Sequence, residues 1–286
     1  MFALDQYQLL DFGEGRKLER FGSYVIDRPA AIAEGAPKSE PLSWRAADAR
    51  YLRQRNGTGR WLPDAALPAQ WTIEHPACTL ELRPTPFGHL GVFAEQAANW
   101  DWIVTRVSET RGPLKVVNLF AYTGGSTLAA ASAGARVVHI DAAKSVVGWA
   151  RRNSQVSSLD AAPVRWITED VRRFAQREVS RGNRYDAIIL DPPSYGHGPR
   201  GEAWKIEAHL PPLLRTCRGL TDDRLAFVVL TCHTPHLDAR RLRELLGAEL
   251  FGTDPPDLTV KSLNIAAADG RQLPCGIVAR WPDRPA

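Results

Sequence analysis

Continuous apolar segments alternate with amphipathic ones from about residue 114 onward, and this alternation constrains the fold most. Seven segments have the character of buried strands: LKVVNLF, ARVVHID, VRWITED, YDAIILD, RLAFVVLT, LTVKSLNI and QLPCGIVARW. Most segments between them have helical periodicity, most clearly from Ala142 to about Leu159. Strands covered on both faces by crossover helices form parallel sheets. The sequence therefore predicts an α/β fold with a doubly wound, mostly parallel seven-stranded sheet.

The first 76 residues have a different sequence pattern, with many turn residues and only short strand-like stretches. DRPAAIAEGAPKSEP and QRNGTGRWLPDAALPAQW are rich in turn and breaker residues, and short alternating stretches such as GSYVID accompany them. This pattern predicts a small β-rich N-terminal region over residues 1–76. The α/β domain is then expected to occupy residues 77–286.

The spacing of cysteines and histidines gives no sign of a metal site. The 286-residue chain has four widely spaced cysteines without a CxxC pair, and its seven histidines include no HExxH spacing. No segment approaches the roughly 20 apolar residues that cross a membrane, and the start lacks the pattern of a signal peptide. We therefore predict a cytoplasmic protein with neither a metal nor a membrane partner. The net charge of +4 permits nucleic acid as a partner without requiring it.

The strand LKVVNLF leads into a glycine-containing turn before the next helix. This stretch, residues 118–127, reads NLFAYTGGST. Glycine lets the backbone turn tightly and approach a ligand closely, although a tight turn without a ligand needs the same residues. Two further strand ends carry acids, Asp141 after the second strand and Glu169 or Asp170 after the third. Such acids can bind ribose hydroxyls and an adenine amine, which indicates a ligand that contains adenosine.

The kind of adenosine ligand follows from motifs that the chain lacks. The turn has one glycine pair, with neither the GxGxxG of dinucleotide sites nor a GK[ST] phosphate loop. Both motifs hold phosphates on backbone amides at a helix start. S-adenosylmethionine carries no phosphate and therefore fits better than NAD or ATP.

Several segments together resemble the class I S-adenosylmethionine-dependent methyltransferases: NLFAYTGG, HIDAAKSVVGWARRN, TEDVRRF, YDAIILDPPSYGHGPRGEAWKIE and FAEQAANW. Within that class, residues 90–240 are similar to the bacterial 23S ribosomal RNA cytosine-5 methyltransferases and their relatives. The resemblance implies a Rossmann-like methyltransferase fold, with the loop after LKVVNLF along the methionine part, Asp141 on the ribose and Asp170 on the adenine. The cofactor-binding residues that it implies are Gln96, Asn118, Phe120, Tyr122, Thr123, Gly124, Asp141, Asp170 and Asp191.

The chain departs from this family in two places. Many methyltransferases have an acid at the start of the glycine loop, where this chain has Asn118. No clear RNA-binding PUA domain precedes the catalytic part. The resemblance therefore implies an RNA substrate more firmly than a ribosomal one.

The fourth strand ends in DPPSYGHG, which places Asp191 beside the expected methyl donor. The two prolines restrict the backbone, so the carboxylate is held for a planar acceptor. A proline stop after a core strand would explain the prolines but not the acid. Pro192, Tyr195 and Lys205 are the predicted substrate-binding residues. The loop that ends at Lys205 either covers the site, with Trp204 stacking on a base, or simply connects to the next helix.

Two kinds of methyl acceptor fit this arrangement. An amine nitrogen needs only orientation, yet such sites usually have an aromatic residue directly after the prolines, where this chain has Ser194. Cytosine C5 becomes nucleophilic only after a thiolate adds to C6, and Cys232 at the end of RLAFVVLT is the candidate thiol. His233 or Lys205 could help to ionise this thiol, unless Cys232 is simply a core residue.

The favoured hypothesis is therefore a methyltransferase that acts on a nucleobase in RNA, at cytosine C5, with Asp191 and Cys232 as catalytic residues. One alternative is N-methylation of an amine on RNA, protein or a small molecule. Another is a non-catalytic module that binds S-adenosylmethionine. The sequence gives no sign of the oligomeric state.

Overall fold

The computed structural model describes residues 1–54, 57–63, 65–221 and 224–283, and the chain forms two compact units. The first unit consists of Met1–Ala98 and Asn264–Cys275, and the second of Asn99–Leu263 and Gly276–Ala286. The predicted boundary after residue 76 lies inside the first unit. The assignment of residues 77–98 to the methyltransferase domain stays a prediction.

The first unit is rich in strands, as predicted for the N-terminal region. Within the described residues it contains a five-stranded sheet in the order β1-β2-β3-β4-β5 and a separate hairpin of β6 and β7. The strands are β1 (Tyr7–Gly13), β2 (Arg16–Phe21), β3 (Tyr24–Pro29), β4 (Ala49–Arg53), β5 (Gly59–Leu62), β6 (Trp71–His75) and β7 (Cys78–Leu82). Between β1 and β2, Glu14 and Gly15 have φ values of 53° and 72°, the positive values that suit a tight hairpin.

A buried carboxylate holds residues 264–275 in the first unit. The side chain of Asp11 accepts hydrogen bonds from the Glu40 backbone N–H at 3.0 Å and from Trp44 Nε1 at 2.7 Å. Arg271 donates to the same carboxylate and forms an ion pair with it. A buried charge is tolerated when it is paired and hydrogen-bonded, so this cluster joins two distant parts of the chain.

The second unit carries most of the predicted alternation of strands and helices, and residues 97–98 and 264–275 of the elements below belong to the first unit. From residue 97 onward the elements are α1 (Ala97–Ser108), β8 (Lys115–Leu119), α2 (Gly125–Ser132), β9 (Arg136–Asp141), α3 (Lys144–Val156), β10 (Val164–Thr168), α4 (Val171–Ser180), β11 (Ala187–Leu190), β12 (Tyr195–His197), β13 (Ala203–Lys205), α5 (Ile206–Arg218), β14 (Phe227–Cys232), α6 (Ala239–Leu245), β15 (Thr259–Ala266) and β16 (Gln272–Trp281). The final predicted helix is split, because α6 continues as a wider helical turn over Leu246–Phe251.

The large sheet matches the predicted architecture. In the part of the chain that the structure describes, it has seven strands in the order β10-β9-β8-β11-β14-β16-β15. The pairs from β10 to β14 are parallel, and β16 is antiparallel to β14. The chain winds outward from β8 to β10 and then returns to the other side of β8 as β11. Ligands bind at the carboxyl ends of strands where the winding reverses, so this edge is the candidate site.

The strands β11 and β14 form the centre of a large apolar core. Ile188 and Leu190 of β11 share this core with Val228 and Leu230 of β14, and helix residues such as Leu214 cover them. Cys232 and Trp204 belong to the same cluster. Cys232 and Trp204, which were both considered for the predicted site, are therefore buried in this core.

We expect Gly125→Ala to destabilise the protein by about 1–3 kcal/mol, because overpacking a tight contact forces its neighbours to move. A Cβ on this first residue of α2 would lie 2.3 Å from Trp100 Cζ2. The matched control is Gly148→Ala in α3, where nothing lies within 4 Å of the added Cβ. That variant should be more stable by up to about 1 kcal/mol. Urea unfolding measures both changes, and equal midpoints would contradict the steric conflict.

Candidate active site

The loop that connects β8 to α2 has an unusual backbone. Phe120, Tyr122 and Gly124 have φ values of 60°, 49° and 94°, so two side-chain-bearing residues adopt the left-handed conformation. Such strained positions persist only where the surroundings hold them, and they cluster at functional sites. Two hydrogen bonds contribute, from Ala121 N to the Ile140 carbonyl at 2.9 Å and from Asn153 Nδ2 to the Thr123 carbonyl at 2.8 Å.

Asp141 at the end of β9 faces this loop. Its carboxylate accepts hydrogen bonds from the backbone N–H of Tyr122 and of Ala143, both at 3.0 Å. Burial raises the pKa of the Asp141 carboxyl, and these backbone hydrogen bonds oppose that rise. Asp141, the residue predicted to bind the ribose, is therefore hydrogen-bonded to the loop itself. The sequence pattern alone does not reveal this contact.

Asp141→Asn is expected to weaken binding of S-adenosylmethionine by roughly 10–100-fold, the range for losing hydrogen bonds to a charged group. The amide also disturbs the two backbone hydrogen bonds that hold the loop. Calorimetric titration with S-adenosylhomocysteine measures the effect. Because burial raises the pKa of Asp141, wild-type affinity should fall as the pH is lowered, beginning above the pH at which an ordinary aspartate protonates.

The control for this variant is Asp238→Asn. Asp238 also accepts a backbone hydrogen bond, from Arg241 N at 2.8 Å, but it caps α6. Unchanged affinity in Asp141→Asn, or an equal loss in Asp238→Asn, would rule out a ribose role for Asp141.

The Asn118 side chain lies in a buried polar network beneath the glycine loop. Asn118 Nδ2 donates to Thr127 Oγ1 at 2.9 Å, and Thr127 Oγ1 lies 2.9 Å from His139 Nδ1. Burial lowers the pKa of His139 to about 3, so its imidazole is neutral at physiological pH. The network connects β8, α2 and β9. The predicted contact of Asn118 with the methionine part stays a prediction.

Asp170 begins α4 and is engaged by that helix. Its carboxylate accepts from the backbone N–H groups of Arg172 and Arg173 and forms an ion pair with the Arg172 guanidinium at 2.9 Å. Burial acts to raise its pKa, but the hydrogen bonds from Arg172 and Arg173 prevail and hold the pKa of Asp170 below its ordinary value. Asp170 is therefore a charged helix cap, and its adenine contact stays a prediction.

Asp191 lies just after β11, beside the end of β14. Leu190 of β11 pairs with Leu230 of β14, which brings the two strand ends together. The Thr231 hydroxyl donates to Asp191 Oδ1, and His233 Nε2 lies 3.2 Å from the same oxygen. The sequence interpretation missed Thr231 and considered His233 as a possible helper of Cys232 and as a base. The sequence signal that could have identified Thr231 and His233 was the alternation of side chains along β14.

The segment after Asp191 forms a short hairpin of β12 and β13 instead of a simple loop. Tyr195 pairs with Lys205 across the hairpin, so two predicted substrate-binding residues lie opposite each other, and both are exposed. Trp204 is 3% exposed, packs edge-on against Phe120 at 4.7 Å, and donates from Nε1 to the Pro193 carbonyl at 2.6 Å. Stacking of Trp204 on a base, one of the two alternatives for this loop, does not agree with a buried ring that anchors the hairpin.

Cys232 is the last residue of β14 and is 1% exposed. Burial raises the pKa of the Cys232 thiol, hydrogen bonding to Thr234 offsets this only in part, and the charge of Asp191 adds to the rise. The thiol is thus protonated at neutral pH. Its role as a nucleophile stays a prediction.

The two remaining predicted residues are both buried. Gln96 ends a short helical turn, Ala94–Gln96, in the first unit. Pro192 follows Asp191 directly and is buried in the second unit. Neither position tests the predicted contact, so the roles of Gln96 with the cofactor and of Pro192 with the substrate stay predictions.

Residues 41–221 match the family model of the S-adenosylmethionine-dependent methyltransferases. The chain belongs to this family. A solved S-adenosylmethionine-dependent methyltransferase from Agrobacterium tumefaciens is 38% identical and superimposes with a TM-score of 0.90. That match covers 97% of this methyltransferase and 91% of the solved chain. The predicted fold, enzyme class and cofactor are thereby confirmed.

The curated relatives align with this methyltransferase over only part of their own length. The ribosomal RNA large subunit methyltransferase I of Aeromonas salmonicida (strain A449) is 32% identical over 126 residues, which are 43% of this chain and 29% of that protein. The protein of the same name from Shigella flexneri serotype 5b (strain 8401) is 28% identical over 251 residues, 80% of this chain and 58% of that protein. The methyltransferase therefore spans less than two thirds of the length of each of these two relatives.

The residues at the strand ends of this methyltransferase suit its cofactor. S-adenosylmethionine needs a close-fitting loop and an acid for its ribose, and the left-handed loop held by Asp141 is compatible with both needs. The ribose role of Asp141 stays a prediction. Among the described residues, no group of three or more His, Cys, Asp or Glu side chains is arranged to hold a metal ion. In the same part of the chain, no helix combines the length and apolar character that crossing a membrane requires.

Proposed function

We propose that this methyltransferase acts on a nucleobase in RNA and methylates cytosine at C5. The supporting observation is the register of β11 and β14, which places Asp191 and Cys232 at neighbouring strand ends. An acid that holds a planar base next to a thiol is the pair that cytosine C5 methylation needs. The names of the ribosomal RNA methyltransferases to which the chain is similar support RNA as the substrate.

Asp191 and Cys232 have separate roles in the proposed reaction. When bound, S-adenosylmethionine supplies a methyl group on a positively charged sulfur. Carbon C5 of cytosine is a weak nucleophile. A thiolate that adds to C6 breaks the C5–C6 double bond and leaves an enamine over C4 and C5, which reacts at C5. Asp191 then orients the ring by accepting hydrogen bonds from the cytosine N–H groups. As a thiolate, Cys232 forms the bond to C6. After methyl transfer the C5 hydrogen leaves as a proton to water, its electron pair restores the C5–C6 double bond, and the thiolate leaves C6.

N-methylation of an amine is the second candidate, and the burial of Cys232 favours it. A thiol that is 1% exposed and packed among core leucines is poorly placed to attack, and its raised pKa keeps it protonated. An amine nitrogen uses its own lone pair and needs no thiolate. Asp191 would hold the amine hydrogens in that reaction.

Nucleoside mass spectrometry tests the proposal. Total RNA from a strain that lacks the protein should lose one 5-methylcytidine site, and the purified protein should restore it in the presence of S-adenosylmethionine. Appearance of an N-methylated nucleoside instead would favour the second candidate. Binding of S-adenosylhomocysteine without transfer to RNA would indicate the non-catalytic module. The predicted cytoplasmic location stays a prediction.

A further inference from the structure

The hairpin of β12 and β13, which follows Asp191, has two unlike faces. Residues directly opposite each other in an antiparallel pair share one face, and neighbouring residues along a strand alternate between faces. Gly196 pairs with Trp204, whose ring is 3% exposed and lies on the inner face. Tyr195 pairs with Lys205 on the outer face, and both are exposed. The outer face therefore carries an aromatic ring opposite an ammonium group.

The ring of Tyr195 is accessible and is also held in place. Tyr195 is 56% exposed. His197 lies on the same face two residues later, and the two ring centroids are 5.1 Å apart with their planes at 89°. The Tyr195 hydroxyl lies 3.1 Å from His197 Nε2. A side chain that is already restricted loses less conformational entropy when a ligand binds to it, so this ring is a preorganised surface.

The start of the hairpin is fixed beside the candidate acceptor site. Ser194 Oγ lies 2.7 Å from Thr234 Oγ1, and the Ile206 backbone N–H donates to the Ser194 carbonyl at 3.1 Å. Thr234 directly follows the segment of β14 that contacts Asp191. Tyr195 is four residues from Asp191, which four extended residues limit to about 14 Å. A nucleotide next to an acceptor base at Asp191 is therefore within reach of Tyr195.

The charges of the hairpin suit an RNA strand. Lys205 and Arg200 are both exposed, and RNA phosphates attract such cations. The acid of the hairpin, Glu202, is engaged within the protein, because it forms an ion pair with Arg173 at 3.4 Å and accepts from the Arg200 backbone N–H at 2.9 Å. The exposed Glu207 belongs to α5 and not to the hairpin. An exposed aromatic ring with cations beside it is the combination that binds single-stranded nucleic acid.

We infer that the outer face of this hairpin binds the unpaired nucleotide next to the acceptor base, with Tyr195 stacked on its base and Lys205 paired with its phosphate. This inference rests on the proposed function, because it concerns an RNA acceptor. A ring can stack only on a base whose face is uncovered, so the RNA must be single-stranded at this nucleotide. Because every base has a face on which a ring can stack, Tyr195 selects the structure of the RNA and not its sequence.

Substitution of Tyr195 tests the inference. We expect Tyr195→Ala to raise the KM for RNA by roughly 10–100-fold, the contribution of one base stacked on an aromatic ring. The kcat should change little, since the ring contacts a neighbouring nucleotide and not the reacting atoms. Tyr195→Phe keeps the ring and loses only the hydroxyl that lies against His197, so it should keep the wild-type KM. Methyl transfer to total RNA from a strain that lacks the protein measures both constants.

Two further measurements address the phosphate and the single strand. Lys205→Ala should raise the KM and make it depend less on salt, because fewer counterions are released when RNA binds. Polyuridine should inhibit methylation by the wild-type protein, and double-stranded RNA of the same length should inhibit it far less. Tyr195→Ala should lose most of this difference. Equal inhibition of the wild-type protein by both polymers would overturn the requirement for an unpaired nucleotide.

Phe87→Ala is the matched control, since Phe87 is 57% exposed and lies outside the hairpin, in the first unit. It should keep the wild-type KM. A wild-type KM in Tyr195→Ala, or an equal rise in Tyr195→Phe or in Phe87→Ala, would overturn the stacking role while RNA methylation stands. A wild-type protein that binds S-adenosylhomocysteine but methylates no RNA would instead overturn the proposed function, and this inference with it.

Discussion

Replacing Cys232 with alanine is expected to reduce methyl transfer to RNA by about 10³-fold or more, as removal of a covalent nucleophile does. Carbon C5 of cytosine cannot become part of an enamine without the thiolate, whereas most predicted cofactor-binding residues lie at other strand ends. Transfer of labelled methyl groups to RNA and calorimetric titration with S-adenosylhomocysteine separate the two effects. Turnover should be lost while the affinity stays at the wild-type value.

Cys217→Ala is the control, because it removes a second thiol from the same apolar core. Cys217 lies in α5, and burial raises the pKa of its thiol to about 12. Both substitutions shorten a buried side chain, so their stabilities should fall by similar amounts. Full activity in Cys217→Ala with none in Cys232→Ala assigns the loss to chemistry. Full activity in both variants would exclude cytosine C5 methylation through Cys232 and favour an amine acceptor.

The pH dependence of this enzyme follows from the environment of Cys232. Because burial raises its thiol pKa, less thiolate exists at neutral pH than for a free cysteine. If the thiolate attacks, the rate should therefore increase as the pH rises beyond neutrality. His233 and Asp191 are the titratable neighbours at the same strand ends, so comparison with His233→Gln isolates the contribution of the thiol.

The positions of the strand ends were predictable from the sequence, because they follow from topology. Alternating buried strands and crossover helices force parallel pairing, and parallel strands end at one edge. The last residue of each apolar run is then a candidate ligand. Asp141 and Asp191 were predicted on that basis, and the structure places each at the expected strand end.

The partners of the other predicted residues were not predictable, because the periodicity of a sequence does not show which side chain a polar group will contact. Asp170 has a neighbouring arginine that pairs with it, and Asn118 finds Thr127 across the glycine loop. Trp204 is buried because the segment after Asp191 folds back as a hairpin, whose two strands have only three residues each. Strands that short, interrupted by glycines, have no periodicity that a sequence pattern could display.

Asp191→Asn is expected to lower kcat for RNA methylation by roughly 10²–10³-fold, the cost of removing one oriented electrostatic group at a reacting centre. The amide keeps the shape of the side chain but presents only one acceptor oxygen, which Thr231 and His233 already engage. It therefore cannot hold the acceptor base as a carboxylate does. The KM for RNA should also rise, because the bound acceptor base loses a contact.

The other end of the same strand supplies the control. Asp186 precedes β11 and accepts a hydrogen bond from the backbone N–H of Lys115 at 2.8 Å. Asp186→Asn changes an acid of the same type next to the same two strands, at the edge opposite the candidate site. If both variants lose activity in proportion to their loss of stability, Asp191 merely holds β11 and β14 together. If only Asp191→Asn loses activity and both variants are equally stable, the carboxylate of Asp191 acts on the methyl acceptor. Both candidate acceptors, cytosine C5 and an amine, need this carboxylate, whereas only cytosine C5 needs Cys232.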